Sequence, residues 1–182
     1  APNSGMWCCV GTGMENHGKY GEFIYTHNED ELYVNLFVAS QLNWKEKKFC
    51  LKQETNFPNE ETVRFTVSGK SQKLKLKIRC PWWVKPGEMK VICKGKDYAV
   101  GAQPSSYIEI ERKWKKGDVI EVTMPMSITV EELPNLPNYI AIMRGPILLG
   151  ARMGNYRLDG LVANDGRWAH IAHGPLVSLF DT

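Results

Sequence analysis

The sequence predicts a mainly β protein, an antiparallel β-sandwich preceded by one α-helix, and three observations lead to that class. Short apolar runs recur at intervals of about ten residues with Pro and Gly between them, the rhythm of a strand-and-turn fold. The run Lys73-Leu74-Lys75-Leu76-Lys77-Ile78-Arg79 puts basic residues at every odd position and apolar residues at every even one. Such a strand buries one face and solvates the other. Only one segment, near the start, carries helix signals instead.

That helix comes first. Thr12-Gly13-Met14-Glu15 has the T-x-x-E form of a capping box, in which the Thr hydroxyl accepts from the Glu backbone N–H and the Glu side chain reaches back. The spacing predicts a helix from about Gly13 to Thr26, with Met14, Tyr20, Phe23, Ile24 and Tyr25 over one broad side. Gly18 and Gly21 would let another helix approach closely, and His27-Asn28 suits the exit. One helix of ~14 residues cannot bury an apolar face alone. Its partners must lie in the β domain or in a part of the protein outside this sequence.

Strands are predicted at Leu32–Val38, Lys48–Glu54, Thr62–Val67, Lys73–Arg79, Glu88–Cys93, Tyr107–Glu111, Val119–Thr123, Ile128–Glu132, Tyr139–Met143 and Ile147–Leu149. Lys116-Gly117-Asp118 and Gly145-Pro146 mark turns. After Gly150 the periodicity fades into the turns Asp159-Gly160 and Asp165-Gly166, and Gly174-Pro175 precedes a last apolar stretch, Leu176 to Phe180. The chain therefore divides into residues 1–30, a sandwich at 31–150, and 151–182 as an extension towards a further domain.

Composition removes several function classes. At 182 residues, 43% hydrophobic and 24% charged, the chain can fill one core. Its net charge of +3 comes from 23 basic and 20 acidic residues scattered along the sequence, without the clustered basic stripe that nucleic-acid binding needs. No apolar run approaches the roughly 18 residues of a membrane helix. Nucleic acid and membrane are thus not expected partners. Ala1-Pro2-Asn3-Ser4-Gly5 lacks the regions of a signal peptide and begins without Met, which suggests a processed or cut end and leaves the compartment unread.

The leading site candidate is the adjacent pair Cys8-Cys9, just ahead of the predicted helix start. A thiol there faces unpaired backbone N–H groups and the positive end of the helix dipole, which favour the thiolate, the form that attacks carbon or binds metal. Neighbouring cysteines rarely bridge to each other without strain. The alternative is simple packing, since free Cys is often a small buried hydrophobe. Cys50, Cys80 and Cys93 lie in or beside predicted strands with no C-x-x-C spacing, as buried thiols or as a source of one bridge.

Other motifs weigh less. Gly11-Thr12-Gly13 fits neither dinucleotide nor P-loop patterns. Trp82-Trp83 follows Pro81, and on a strand one indole would face the core while the other could reach a sugar ring. The basic face of Lys73–Arg79 could take an acidic ligand, although a solvated face is the plainer reading. His17, His170 and His173 have no ligand set near them in sequence, and neither H-E-x-x-H nor G-x-S-x-G occurs.

With these elements placed, the chain resembles the C-terminal part of the β-L-arabinofuranosidase superfamily, glycoside hydrolase families 127 and 146. WCCVGTGMENHGKYGEFIYTHNEDELYVNLFVASQLNW, Trp7 to Trp44, is most similar to the family 146 pattern, and LKLKIRCPWWV, YIEIERKWKKGDVIEVTMPM and YIAIMRGPILLGAR agree with the family's sandwich. Enzymes of this kind carry an (α/α)6 barrel followed by β-sandwich domains. The resemblance implies that residues 1 to about 30 are the final barrel strip, helix included. It implies Cys8 as nucleophile and zinc ligand and Cys9 as zinc ligand, beside an upstream glutamate and an upstream cysteine, with a second upstream glutamate as general acid/base. It further implies a retaining double displacement on an L-arabinofuranose-containing glycan, with sulfur replacing the usual carboxylate nucleophile.

The upstream portion is missing from this sequence. The missing N-terminal barrel is thus an implied partner, Zn2+ is expected in the intact parent rather than in the fragment, and the fragment is expected to lack activity. The resemblance is compatible with a soluble bacterial parent, periplasmic or secreted. The rival reading is a non-catalytic sandwich module that binds carbohydrate or braces a neighbouring domain.

Overall fold

The first described element is a helix that opens on the cysteine pair. The structure, a computed structural model, describes residues 8–151. Helix α1 spans Cys8–Phe23, so it already includes residues ahead of the predicted start and ends sooner than the sequence signals suggest. Thr12 lies inside it instead of capping it. The run Cys8-Cys9-Val10-Gly11 contains no proline to halt the helix upstream. At the other end Tyr25, Thr26 and His27, residues at home in strands, pair with Val34, Tyr33 and Leu32, and sheet pairing overrides the helical pattern.

The strands are β1 (Tyr25–His27), β2 (Glu31–Val34), β3 (Ser40–Trp44), β4 (Phe49–Thr55), β5 (Thr62–Gly69), β6 (Gln72–Cys80) and β7 (Lys90–Cys93). They continue with β8 (Lys96–Asp97), β9 (Ser106–Trp114), β10 (Val119–Thr123), β11 (Ile128–Leu133), β12 (Leu136–Arg144) and β13 (Ile147–Leu149). One sheet has the order β1-β2-β6-β9, a second β3-β4-β5-β10-β7-β8, and a third β11-β12-β13. The protein is mainly β, an antiparallel sandwich after one helix. Among the described pairings one departs from the antiparallel rule, since β2 lies parallel to β6. The chain has crossed through β3, β4 and β5 of the opposite sheet between them, and such a crossover returns it in the same direction.

Alternation builds the core. Leu32 and Val34 from β2, Leu74, Leu76 and Ile78 from β6, and Ile108 and Ile110 from β9 meet Leu51, Phe65, Val67, Val91, Ile120 and Val122 of the second sheet in one buried cluster. Trp114 is wholly enclosed, and its indole Nε1 donates to the Leu74 carbonyl at 3.1 Å. The bond removes the one polar cost of burying that ring. Between β2 and β3 the chain changes sheets, which exposes carbonyls that no ladder pairs. Buried Gln53 on β4 answers them, donating from Nε2 to Leu36 O at 3.2 Å, to Val38 O, and to Ser40 Oγ at 3.3 Å. Its Oε1 is the one buried side-chain polar atom among the described residues without a hydrogen-bond partner.

The third sheet is tied to the sandwich by Glu61, whose Oε1 accepts from Met126 N at 3.0 Å and from Arg144 at 3.4 Å. Gly145 sits at φ 54°, and a Cβ there would come within 2.7 Å of Met126 Cγ. Glycine is required on both counts.

The predicted extension 152–182, with His170, His173 and Leu176–Phe180, lies outside the described residues. No helix among the described residues is long and apolar enough to cross a membrane. The β6 register yields a test: Leu76→Ala should cost about 2–5 kcal/mol and Lys73→Ala less than about 0.5 kcal/mol, read from urea denaturation of the chain. Equal costs would mean that β6 is turned the other way.

Candidate functional site

Cys8 and Cys9 occupy the first two positions of α1, with no acidic residue in that first turn. The pair falls one turn closer to the helix than the capping signal suggests, within it and not ahead of it. Among the described residues no three of His, Cys, Asp and Glu cluster as a metal site.

The other cysteines are structural. Cys50, Cys80 and Cys93 are free thiols. Burial pushes the Cys80 thiol above its ordinary pKa, away from the reactive form. Cys93, also buried, accepts from Arg112 at 3.3 Å, and Arg112 in turn meets the buried carboxylate of Asp118 at 3.4 Å.

The basic face of β6 is occupied from within. Leu74, Leu76 and Ile78 point into the core, and the lysines between them point outward into glutamates of the neighbouring strands. Lys77 reaches Glu31 on β2 and Glu109 on β9, both at 3.1 Å, and is only 15% exposed. Lys75 meets the same two carboxylates at 3.6 and 3.4 Å, and Lys73 meets Glu111 at 3.7 Å. Tyr33 completes the set, donating its hydroxyl to Glu31 at 2.6 Å and accepting from Lys77 at 3.2 Å. Of the basic residues in this row, Lys75 and Lys77 are thus half-covered instead of fully solvated. The Tyr33 hydrogen bond, then the Lys77 ammonium and the Asn28 amide, hold the Glu31 carboxyl down at about 2, and the same contacts raise Lys77.

Beyond Cys80 the chain turns instead of continuing as a strand, Val84 N donating to Pro81 O at 3.3 Å. The turn divides the two tryptophans as alternation on a strand would have done. Trp83 packs on the core and stacks on Phe57 with ring centroids 6.0 Å apart and planes 17° from parallel. Trp82 stays 54% exposed. With Asn35, Phe37 and Arg79 these rings line a cleft of about 250 Å³. A second, polar cleft of about 590 Å³ lies over β4, β5 and β10. It was not legible in the sequence, because its residues come from three separate strands and the loop between β4 and β5. Its acids are already satisfied: Glu54 by Lys52 at 2.7 Å, Glu121 by Arg64 at 2.9 Å, and Glu60 by Asn56 at 3.0 Å.

The described residues thus form a two-sheet sandwich that follows a helix carrying paired cysteines. Comparison with known proteins narrows this. Residues 31–126 match the family described as β-L-arabinofuranosidase, GH127 middle domain, and the chain belongs to that family. Residues 129–182 match a family described as a domain of unknown function. Among solved structures, a glycoside hydrolase is 32% identical with a TM-score of 0.68, over 78% of this chain and 25% of that one. A GH127 β-L-arabinofuranosidase from Geobacillus stearothermophilus T6 is 28% identical with a TM-score of 0.65, over 78% and 23%. A further GH127 β-arabinofuranosidase is 28% identical with a TM-score of 0.60, over 69% and 23%. The chain thus spans about a quarter of the length of these relatives. A search of curated proteins found no match.

The lowered Glu31 carboxyl has a stated sign. Its folded value of about 2 lies below the ordinary 4.5, so its contribution to stability is complete above pH 4.5 and is lost as pH falls towards 2. Glu31→Gln should therefore lower the urea midpoint near neutrality, and the gap from the unsubstituted chain should close between pH 4.5 and 2. A gap that stays constant through that window would remove Glu31 from the acid response.

Proposed function

We propose that this chain is the C-terminal portion of a retaining glycoside hydrolase acting on L-arabinofuranose-containing side chains of plant polysaccharides, and that Cys8 is its nucleophile. The observation that carries the reading is the placement of Cys8 and Cys9 at the opening of α1, in a chain whose sandwich belongs to the β-L-arabinofuranosidase family. The helix N-terminus favours a thiolate at Cys8. Sγ of Cys8 attacks the anomeric carbon and forms a C–S bond as the C–O bond to the leaving group breaks. A general acid outside this chain protonates the departing oxygen. Water, deprotonated by the same group, then attacks the anomeric carbon, breaks the C–S bond, and returns the thiolate with the anomeric configuration retained.

Paired thiols suit zinc, and Cys8 and Cys9 are the residues of this chain that would hold it. Bound there, the ion would keep Cys8 deprotonated at neutral pH. Two thiols are half of a closed tetrahedral set. The remaining ligands, the acid/base and the sugar pocket are assigned to an N-terminal barrel outside this chain.

In the intact parent, Cys8→Ser should abolish turnover and added zinc should not restore it, because a serine hydroxyl at neutral pH is a far poorer nucleophile than a thiolate. Cys9→Ser should lower activity and regain part of it at high zinc. Trapping with an activated arabinofuranose analogue, followed by peptide mass analysis, should place the sugar on Cys8; a label on a carboxylate would leave the cysteines as metal ligands at most. The 182-residue chain alone should bind zinc weakly and hydrolyse no arabinofuranoside, as read by equilibrium dialysis and a chromogenic assay. Full turnover by that chain would overturn the division of labour, and inactivity of the intact parent on every arabinofuranoside would favour the non-catalytic module.

A further inference from the structure

The four basic residues of β6 are not treated alike. Lys73, Lys75 and Lys77 each meet a glutamate of β9: Lys77 pairs with Glu109 directly opposite, while Lys73 and Lys75 reach diagonally to Glu111 and Glu109. Arg79, next in the row, sits opposite Tyr107. The Tyr107 hydroxyl is spent on Asn35 Oδ1 at 2.7 Å. Among the described residues Arg79 has no carboxylate partner, and this exposed residue lines the same cleft as Trp82 and the Phe57–Trp83 stack.

An exposed indole and an unpaired cationic fork at one cleft make complementary demands. The apolar C–H face of a sugar ring removes an aromatic face from water. A planar guanidinium binds a carboxylate through paired N–H groups. We propose that this cleft is a glycan-binding subsite for an acidic sugar, a uronosyl residue whose ring lies on Trp82 and whose carboxylate pairs with Arg79. A neutral sugar would cover the indole but leave Arg79 desolvated without a counter-charge. The subsite uses the sandwich alone and needs neither Cys8 nor turnover, so it goes beyond the hydrolytic reading and stands or falls separately from it.

The full chain is titrated with trigalacturonate and with the neutral arabinotriose, followed by calorimetry and tryptophan fluorescence at low salt. Trigalacturonate should bind saturably and at least tenfold more tightly than arabinotriose. Arg79→Gln should weaken trigalacturonate by about tenfold, the loss of one charge-assisted contact, and leave arabinotriose unchanged. Trp82→Ala should weaken both. Trp82 and Arg79 are exposed, so both variants should keep the circular dichroism and melting temperature of the chain. Lys70→Gln, away from the cleft, should bind as the unsubstituted chain does; a loss there equal to that of Arg79→Gln would reduce the effect to net charge and overturn the site. Equal affinity for the two sugars, or an Arg79→Gln chain that binds trigalacturonate undiminished, would overturn the assignment to an acidic sugar. No saturable binding of either sugar would overturn the subsite itself and mark the cleft as a surface for protein contact.

Discussion

The sandwich depends on the register of β6. In that strand a single alternation serves both sides of a sheet: its even positions close the core through Leu74, Leu76 and Ile78, and its odd positions bind β2 and β9 through Glu31 and Glu109. A slip of one residue would turn three lysines into the core and three apolar side chains into water. Each side enforces the other. The parallel pairing of β2 on β6, reached only after the chain has visited the opposite sheet, is held by this same set of contacts. Lys77 and Tyr33 are also close enough for the ammonium to lie 4.9 Å from the ring centroid, so the strand return is fixed by charge, hydrogen bonding and an aromatic face together.

This explains why much of the fold was legible. The run Lys73–Arg79 declares its own orientation, and strands with a plain alternation, such as Val119–Thr123, were found at their observed bounds. The elements that escaped are those whose existence depends on a distant partner. β1 reads as the end of a helix until Val34 pairs with Tyr25. β3, Ser40–Trp44, has too few apolar residues to announce a strand and is made one by pairing with β4. β8, Lys96–Asp97, is a two-residue hairpin return. The capping-box signal misplaced the helix start because Thr12 and Glu15 are as compatible with a second turn as with a first.

The site divides the same way. Cys8 and Cys9 were visible as a pair because adjacency is a property of sequence, and the backbone adds their position within the first helical turn. Trp82 and Trp83 were visible as a pair too, but their division of labour comes from a turn and not from a strand. What no local pattern shows is the solitary state of Arg79. It follows from the residue opposite, Tyr107 in place of a third glutamate, and register is a fact about two strands.

The third sheet carries a different implication. Ile128, Val130, Tyr139, Ile140 and Leu148 are half or more exposed, and no residue described in β11 is buried. Apolar patches of this kind on strands with open edges recruit other molecules by the same ladder bonds that build sheets. A charged substitution at Val130, an exposed position of β11, is therefore a more direct guard against strand-to-strand association than any improvement of the core.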